Sequence, residues 1–317
     1  MIPWLVRLGP GCLEFVIDSR DPVDPPPQQI AVTESFVQAP LPKADLLLVI
    51  DDTASMAQEQ AALSQDFAVL LDELDALGVG WQLGVVSTEM VKPEAGLLRG
   101  TPWILTPSVP QRELVFAEMV QVGLEGDGPE AGLAAAERTL ALAVEGPNAG
   151  FRRPDALLNV IFVSDADDES DDWLGSDPVG PFLDLLADEA ERTGLPARAS
   201  GLIGPPPSGC HSISGQAQPA VRYAEAIAAS GGVQGSICAI DFAAVLAQLS
   251  EATIAWQTEF PLRERPADGS VRIRIDDALV EGGWAVADEP PRLVFDEAPP
   301  PASQIDVSYL VTLAGPR

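Results

Sequence analysis

The stretch Ala44–Met56 constrains this chain most. Leu46 to Ile50 is an unbroken apolar run with a β-branched finish, the pattern of a strand buried on both faces. It stops at small oxygen-bearing side chains: Asp51, Asp52, Thr53 and Ser55. Open α/β sheets place their sites where an apolar strand delivers polar groups into a loop ahead of a helix. Asp51, Thr53 and Ser55 alternate, so one loop can turn all three oxygens toward a single point. Hard divalent cations take such oxygen ligands.

A helix is expected next, Gln58 to Leu77, with Leu63, Phe67, Leu70, Leu71, Leu74 and Leu77 as its apolar stripe and Gly78 and Gly80 as its stop. Trp81 to Ser87 reads as a second strand, Trp103 to Leu105 as a short edge strand and Gln111 to Val122 as a helix. A Gly-rich acidic loop, Val122 to Glu130, leads into a helix from Pro129 to Val144, since proline suits a first helical turn. Ala156 to Ser164 is a third strong strand, followed at once by Asp165, Asp167, Asp168, Glu169, Asp171 and Asp172. Helix, strand, helix, strand and helix then alternate to Trp256. The alternation implies an α/β fold, a doubly wound mostly parallel sheet with helices on both faces. After Trp256 the pattern changes to period two, as in Val271–Ile275 and Gln304–Tyr309, which reads as a small all-β C-terminal domain. The expected division is a leader and Pro-rich tether over 1–43, the α/β domain over 44–256 and the β domain over 257–317.

The formal charge is −30, from 48 acids against 18 Lys plus Arg. Nucleic acid and anionic membranes are attracted by basic patches, so neither is an expected partner. No apolar run reaches the length of a membrane-spanning helix. Near the N-terminus, Met1–Leu8 is apolar but interrupted by Arg7, and Gly9-Pro10-Gly11-Cys12 has the small-residue-then-Cys form of a bacterial lipoprotein cleavage site. Cys12 is thus a candidate for lipid attachment, the alternative being a plain N-terminal tail. Cys210 and Cys238 either pair, which needs an oxidising compartment, or are unrelated thiols.

The Asp51-x-Thr53-x-Ser55 spacing resembles the Asp-x-Ser/Thr-x-Ser motif of von Willebrand factor A (vWA) domains. The resemblance runs from Phe36 to Trp256 and is similar to vWA proteins of bacterial cell envelopes, many of them lipoproteins. It is carried by Phe36-Val37-Gln38, Lys43-Ala44-Asp45, the motif through Met56, Gly84-Val85-Val86, Gly150-Phe151-Arg152, Ser164-Asp165-Ala166-Asp167-Asp168, Gly209-Cys210, Arg222-Tyr223, Gly231-Gly232 and Gly235–Cys238. It implies a metal-ion-dependent adhesion site (MIDAS) holding Mg²⁺, with Ca²⁺ or Mn²⁺ as alternatives. Thr53 and Ser55 would touch the metal beside Asp51, and Asp165 would hold it through water. It also implies that Cys210 and Cys238 pair, that the protein lies outside the cytoplasm, and that an acidic side chain of a protein partner completes the coordination. The family's third loop should supply a Thr. Here it reads Gly126-Asp127-Gly128-Pro129-Glu130, so Asp127, with Glu130 as the lesser candidate, or water takes that place.

Each feature has a plainer reading. One hydroxyl of the motif could be a helix N-cap, which leaves the other two oxygens unexplained. Asp167, Asp168 and Glu169 are expected to be solvated. An EF-hand over Asp165–Ser176 fails, because Ser170 and Ser176 stand where Gly and Glu are required. His211, the single histidine, has no paired nucleophile, and Gly231-Gly232 lacks the Lys-Ser/Thr of a phosphate loop. The expected function is therefore a metal-dependent binding module and not an enzyme. The alternatives are a Mg²⁺-dependent aspartyl phosphotransfer site at Asp51-Asp52, or a structural envelope protein with a vestigial metal site.

Overall fold

The computed structural model describes residues 28–39, 43–66, 68–76, 78–126, 128–213, 215–239, 246, 248–249 and 256–313. Two compact units divide them. One comprises Val37–Glu259 with Phe295–Ser303; the other takes the residues up to Phe36, Phe260–Val294 and those from Gln304 on.

In chain order the strands begin with β1 (Gln29–Val37), discussed below with the second unit, and β2 (Lys43–Ile50). Helices α1 (Ala57–Asp66) and α2 (Ala68–Ala76) precede β3 (Gly80–Ser87), and α3 (Arg112–Met119) and α4 (Gly132–Glu145) precede β4 (Leu157–Ser164). Then come α5 (Asp171–Leu174), α6 (Val179–Thr193), β5 (Ala197–Ile203), the hairpin β6 (Cys210–Ser212) and β7 (Gly215–Ala217), α7 (Val221–Ser230) and β8 (Gln234–Ser236). Five of these strands form one sheet in the order β3-β2-β4-β5-β8, every neighbour parallel. Leu83 and Leu105 add an isolated antiparallel bridge, near the expected edge strand.

The apolar run of β2 explains the two layers of helix. Successive strand residues point to opposite faces. Leu46, Leu48 and Ile50 join a core with Leu63, Leu70 and Phe116 of α1, α2 and α3. Leu47 and Val49 join another with Leu140, Phe182 and Tyr223 of α4, α6 and α7. A strand covered on both sides needs apolar side chains on both faces, as Leu46–Ile50 supply. At the start of β2, Asp45 is fully buried and takes hydrogen bonds from Arg152 Nη1 (2.7 Å) and from Arg153 N and Nε (2.8 and 2.7 Å).

β2 and β4 lie side by side, Ile50 opposite Val163, while the chain leaves them for opposite edges of the sheet. The gap beyond their carboxyl ends is the switch point where such sheets open a crevice. Asp51 N donates to Val163 O at 3.0 Å, which brings the loop after β2 against the loop after β4.

Some elements differ from expectation. The helix after the Gly-rich loop begins at Gly132, not Pro129, and Gly126 and Glu130 ahead of it contact Asp52 and Thr88. The loop around Cys210 folds into the β6–β7 hairpin, and Cys210 and Cys238 form a disulfide. Leu77, Asp127, most of the last expected helix and Cys12 lie outside the described residues.

The second unit is built from β1 with β9 (Glu259–Pro261), β10 (Arg272–Ile275), β11 (Ala278–Val280), β12 (Trp284–Asp288), β13 (Pro291–Phe295) and β14 (Gln304–Thr312). Its sheets run β1-β14-β10-β11 and β12-β13-β9. β1 falls in the stretch expected to be a tether; its period-two pattern pairs with β14, far away in sequence. Ile273, Leu293, Ile305 and Val307 fill the interior, and Tyr309 donates its hydroxyl to the buried Glu34 (2.5 Å). Among the described residues, no helix is long and apolar enough to cross a membrane.

Candidate metal centre

Asp51 stands at the end of β2 with no solvent exposure. Its Oδ1 accepts from the Thr53 amide (2.9 Å) and from Thr53 Oγ1 (2.6 Å), and its Oδ2 accepts from Ser164 Oγ (2.8 Å). Thr53 Oγ1 lies 3.1 Å from Ser55 Oγ, and the Ser55 hydroxyl in turn acts on Asp165, holding its carboxyl down. Asp51, Thr53 and Ser55 are therefore joined by hydrogen bonds, and Asp165 from the last loop lies close enough to feel Ser55 and Asp51. Asp127 cannot be placed, being outside the described residues.

The third loop contributes a group with little warning in the sequence. Glu130 is buried, accepts from Thr88 Oγ1 at 2.8 Å, and shares a hydrogen bond with Asp51. Burial, then the charge of Asp51, pushes its carboxyl up to about 9. Two facing carboxyls cannot both ionise cheaply, and Glu130 is the one pushed up. Asp165 is also raised, mainly by burial, with the Ser55 hydrogen bond opposing. Burial raises Asp52 as well, against the pull of Arg99.

The loops are held in place by residues that carry no expected role. Gln60 Nε2 donates to Asp51 O (3.0 Å) and Gly123 O (2.9 Å), tying the first loop to the third. Gly126 N donates to Asp52 O at 2.9 Å, and a Cβ on Gly126 would come within 2.6 Å of Asp52 Oδ1, so only glycine fits that approach. Arg99 bridges Ser87 Oγ and Val122 O. On the other side Arg222 clamps the loop after β4, reaching Asp168 O and both oxygens of Asp171.

Asp168 corrects the expectation of a solvated acid. It is 2% exposed and accepts from the Leu133 amide at the start of α4, and from Ser170 N and Oγ. It caps a helix end and joins two loops, so it is not solvated, and its oxygens are engaged away from Asp51.

Among the described residues, no three Asp, Glu, His or Cys side chains form a group able to hold a metal. The donor set of this site is mixed, and it fits a small hard cation on chemical grounds. Every candidate donor is oxygen, two are neutral hydroxyls, and the carboxyls of Asp51 and Glu130 are crowded enough to be held one proton short.

No protein-family model matches the sequence, and no curated protein matches it. Among solved structures, the chain is similar to a von Willebrand factor type A protein from Catenulispora acidiphila, with 17% identity and a TM-score of 0.40 over 90% of this chain and 61% of that one. It is similar to the pilus adhesin SpaC from Lactobacillus rhamnosus GG, with 11% identity and a TM-score of 0.42 over 92% of this chain and 42% of the adhesin. Proximal thread matrix protein 1 from the mussel byssus gives 19% identity and a TM-score of 0.42, over 72% of this chain and 51% of that one. The chain thus spans 61% or less of each of these three proteins. The α/β fold class stands on the strand order and parallel registers above.

Proposed function

We propose that this chain is a vWA-type, divalent-cation-dependent protein-binding module and not an enzyme. Asp51, Thr53, Ser55 and Asp165 would hold Mg²⁺, or Mn²⁺ or Ca²⁺ in its stead. Glu130 would supply the third loop's oxygen, with Asp127 as the alternative donor. A bound cation would supply a Lewis-acidic position for a carboxylate of a protein partner. The observation that carries the reading is the meeting of Asp51, whose Oδ1 accepts from Thr53 Oγ1 with Ser55 Oγ next in line, with the buried Glu130, whose carboxyl burial and Asp51 push up to about 9. Asp51 and Glu130 would both ionise if the site held a cation, whose charge would offset theirs.

Aspartyl phosphotransfer fits poorly. Both carboxyl oxygens of Asp51 are engaged and the residue is fully buried, and Asp52 is 4% exposed, so neither offers the open face an attacking carboxylate needs. The Cys210–Cys238 disulfide supports residence outside the cytoplasm. Lipid attachment at Cys12 stays a proposal, which mass spectrometry of the mature N-terminus would decide.

Calorimetric titration of Mg²⁺, Mn²⁺ and Ca²⁺ into wild type, Asp51→Ala and Ser55→Ala tests the site. Binding is expected in wild type, with loss in Asp51→Ala and weakening in Ser55→Ala. Equal binding by all three proteins would remove the reading.

A further inference from the structure

Glu59 lies in the first turn of α1, outside the expected ligand set, and is only 3% exposed. Among the described residues its Oε2 has no hydrogen-bond partner. Its Oε1 faces Gly215 of the β6–β7 hairpin, where an added Cβ would come within 2.0 Å. The hairpin is anchored by the Cys210–Cys238 disulfide, and Gln218 N just beyond it donates to Asp165 O at 2.8 Å. Burial raises the Glu59 carboxyl; the amides of Glu59 and Gln58 oppose this, and the like charges of Asp165 and then Asp51 add to it. A carboxylate kept for stability is paired with a cation or fully hydrogen-bonded, since an unpaired buried charge is costly. Glu59 instead leans on amides at the start of its own helix, keeps Oε2 without a partner among the described residues, and is set against two further carboxylates.

We infer that Glu59 is a positioning residue of the cation site: its free oxygen accepts a hydrogen bond from a water carried by the divalent cation, and this sets the affinity of the site. The inference rests on the cation-site reading above. It assigns the hairpin a purpose as well. The bare Gly215 leaves room for the Glu59 carboxylate, and the disulfide fixes the hairpin over it.

The test uses the full chain, with Mn²⁺ and Mg²⁺ as probes, in wild type, Asp51→Ala, Glu59→Gln and Gly215→Ala. Calorimetry gives the affinities, and melting in chelator reports each metal-free protein. Outer partners of metal ligands typically contribute about 10–100-fold in affinity, and a loss of that size is expected for Glu59→Gln. Gly215→Ala should weaken binding in the same direction, because the new methyl group displaces the end of the Glu59 side chain; the strain that the Gly215 φ of +152° adds is read separately by melting in chelator. Glu59→Gln should also melt higher than wild type in chelator; a residue serving structure alone would melt lower and leave affinity unchanged. If Asp51→Ala abolishes binding while Glu59→Gln and Gly215→Ala bind as wild type, the role of Glu59 is overturned and the cation site stands. If Asp51→Ala binds as wild type, the site itself is wrong and this inference goes with it. Should Glu59→Gln fail to fold, Gly215→Ala decides.

Discussion

Replacing Glu130 by Gln tests the electrostatics of the site without any metal. In the folded chain Glu130 keeps its proton up to about 9, against an ordinary value of 4.5. Its folded value is raised, so its contribution to stability is fully present below the unfolded value and is lost as pH rises toward the folded one. Each pH unit in that window costs about 1.4 kcal/mol. From about pH 5 to about pH 7.5 the wild type should lose about 3 kcal/mol through this one group. Glutamine cannot ionise, yet its amide can donate to Asp51 and its carbonyl can accept from Thr88, as the protonated acid does. Asp52, Asp165 and the other raised carboxyls are common to both proteins and cancel in the comparison. Urea denaturation in chelator should therefore find the two proteins close in stability near pH 5, with Glu130→Gln more stable by about 3 kcal/mol near pH 7.5. Parallel stability profiles for the two proteins would refute the raised Glu130 carboxyl, and with it the crowding that a cation is proposed to relieve.

Three further outcomes are expected. Asp45→Ala removes the partner of two arginines at the buried start of β2 and should cost about 3–5 kcal/mol in denaturant unfolding. Gly126→Ala forces a methyl group against Asp52 and should lower the melting temperature by the equivalent of about 1–3 kcal/mol, with weaker Mn²⁺ binding by calorimetry. Replacing Cys210 and Cys238 by serine opens a loop of sequence separation 28 and should cost about 3–4 kcal/mol in chemical denaturation.

The local sequence was enough wherever the deciding interaction was local. The apolar run of β2 has to be covered on both faces, and the alternation of strands and helices then leads to a doubly wound sheet. Asp51, Thr53 and Ser55 are neighbours in the chain, so their spacing already foretold that their oxygens would meet. The β1 strand shows the limit: residues 29–37 alternate without a visible partner until β14 arrives from the other end of the chain.

The rest of the site was decided by contacts between distant residues. Glu130 sits three positions after Asp127 and looks no more special in sequence; only the packing of its loop beside β2 sets it against Asp51 and Thr88. Asp168 reads as one more acid in a solvated run until α4 offers it the Leu133 amide. Glu59 is an ordinary first-turn acid of a helix, made unusual by a hairpin from more than a hundred residues away. Spacing along a chain can bring donors of one loop together, because the backbone there has few ways to turn. Which carboxyls of other loops arrive beside them, and which lose their water on arrival, is set by burial and like-charge proximity. Both are properties of the assembled tertiary structure alone.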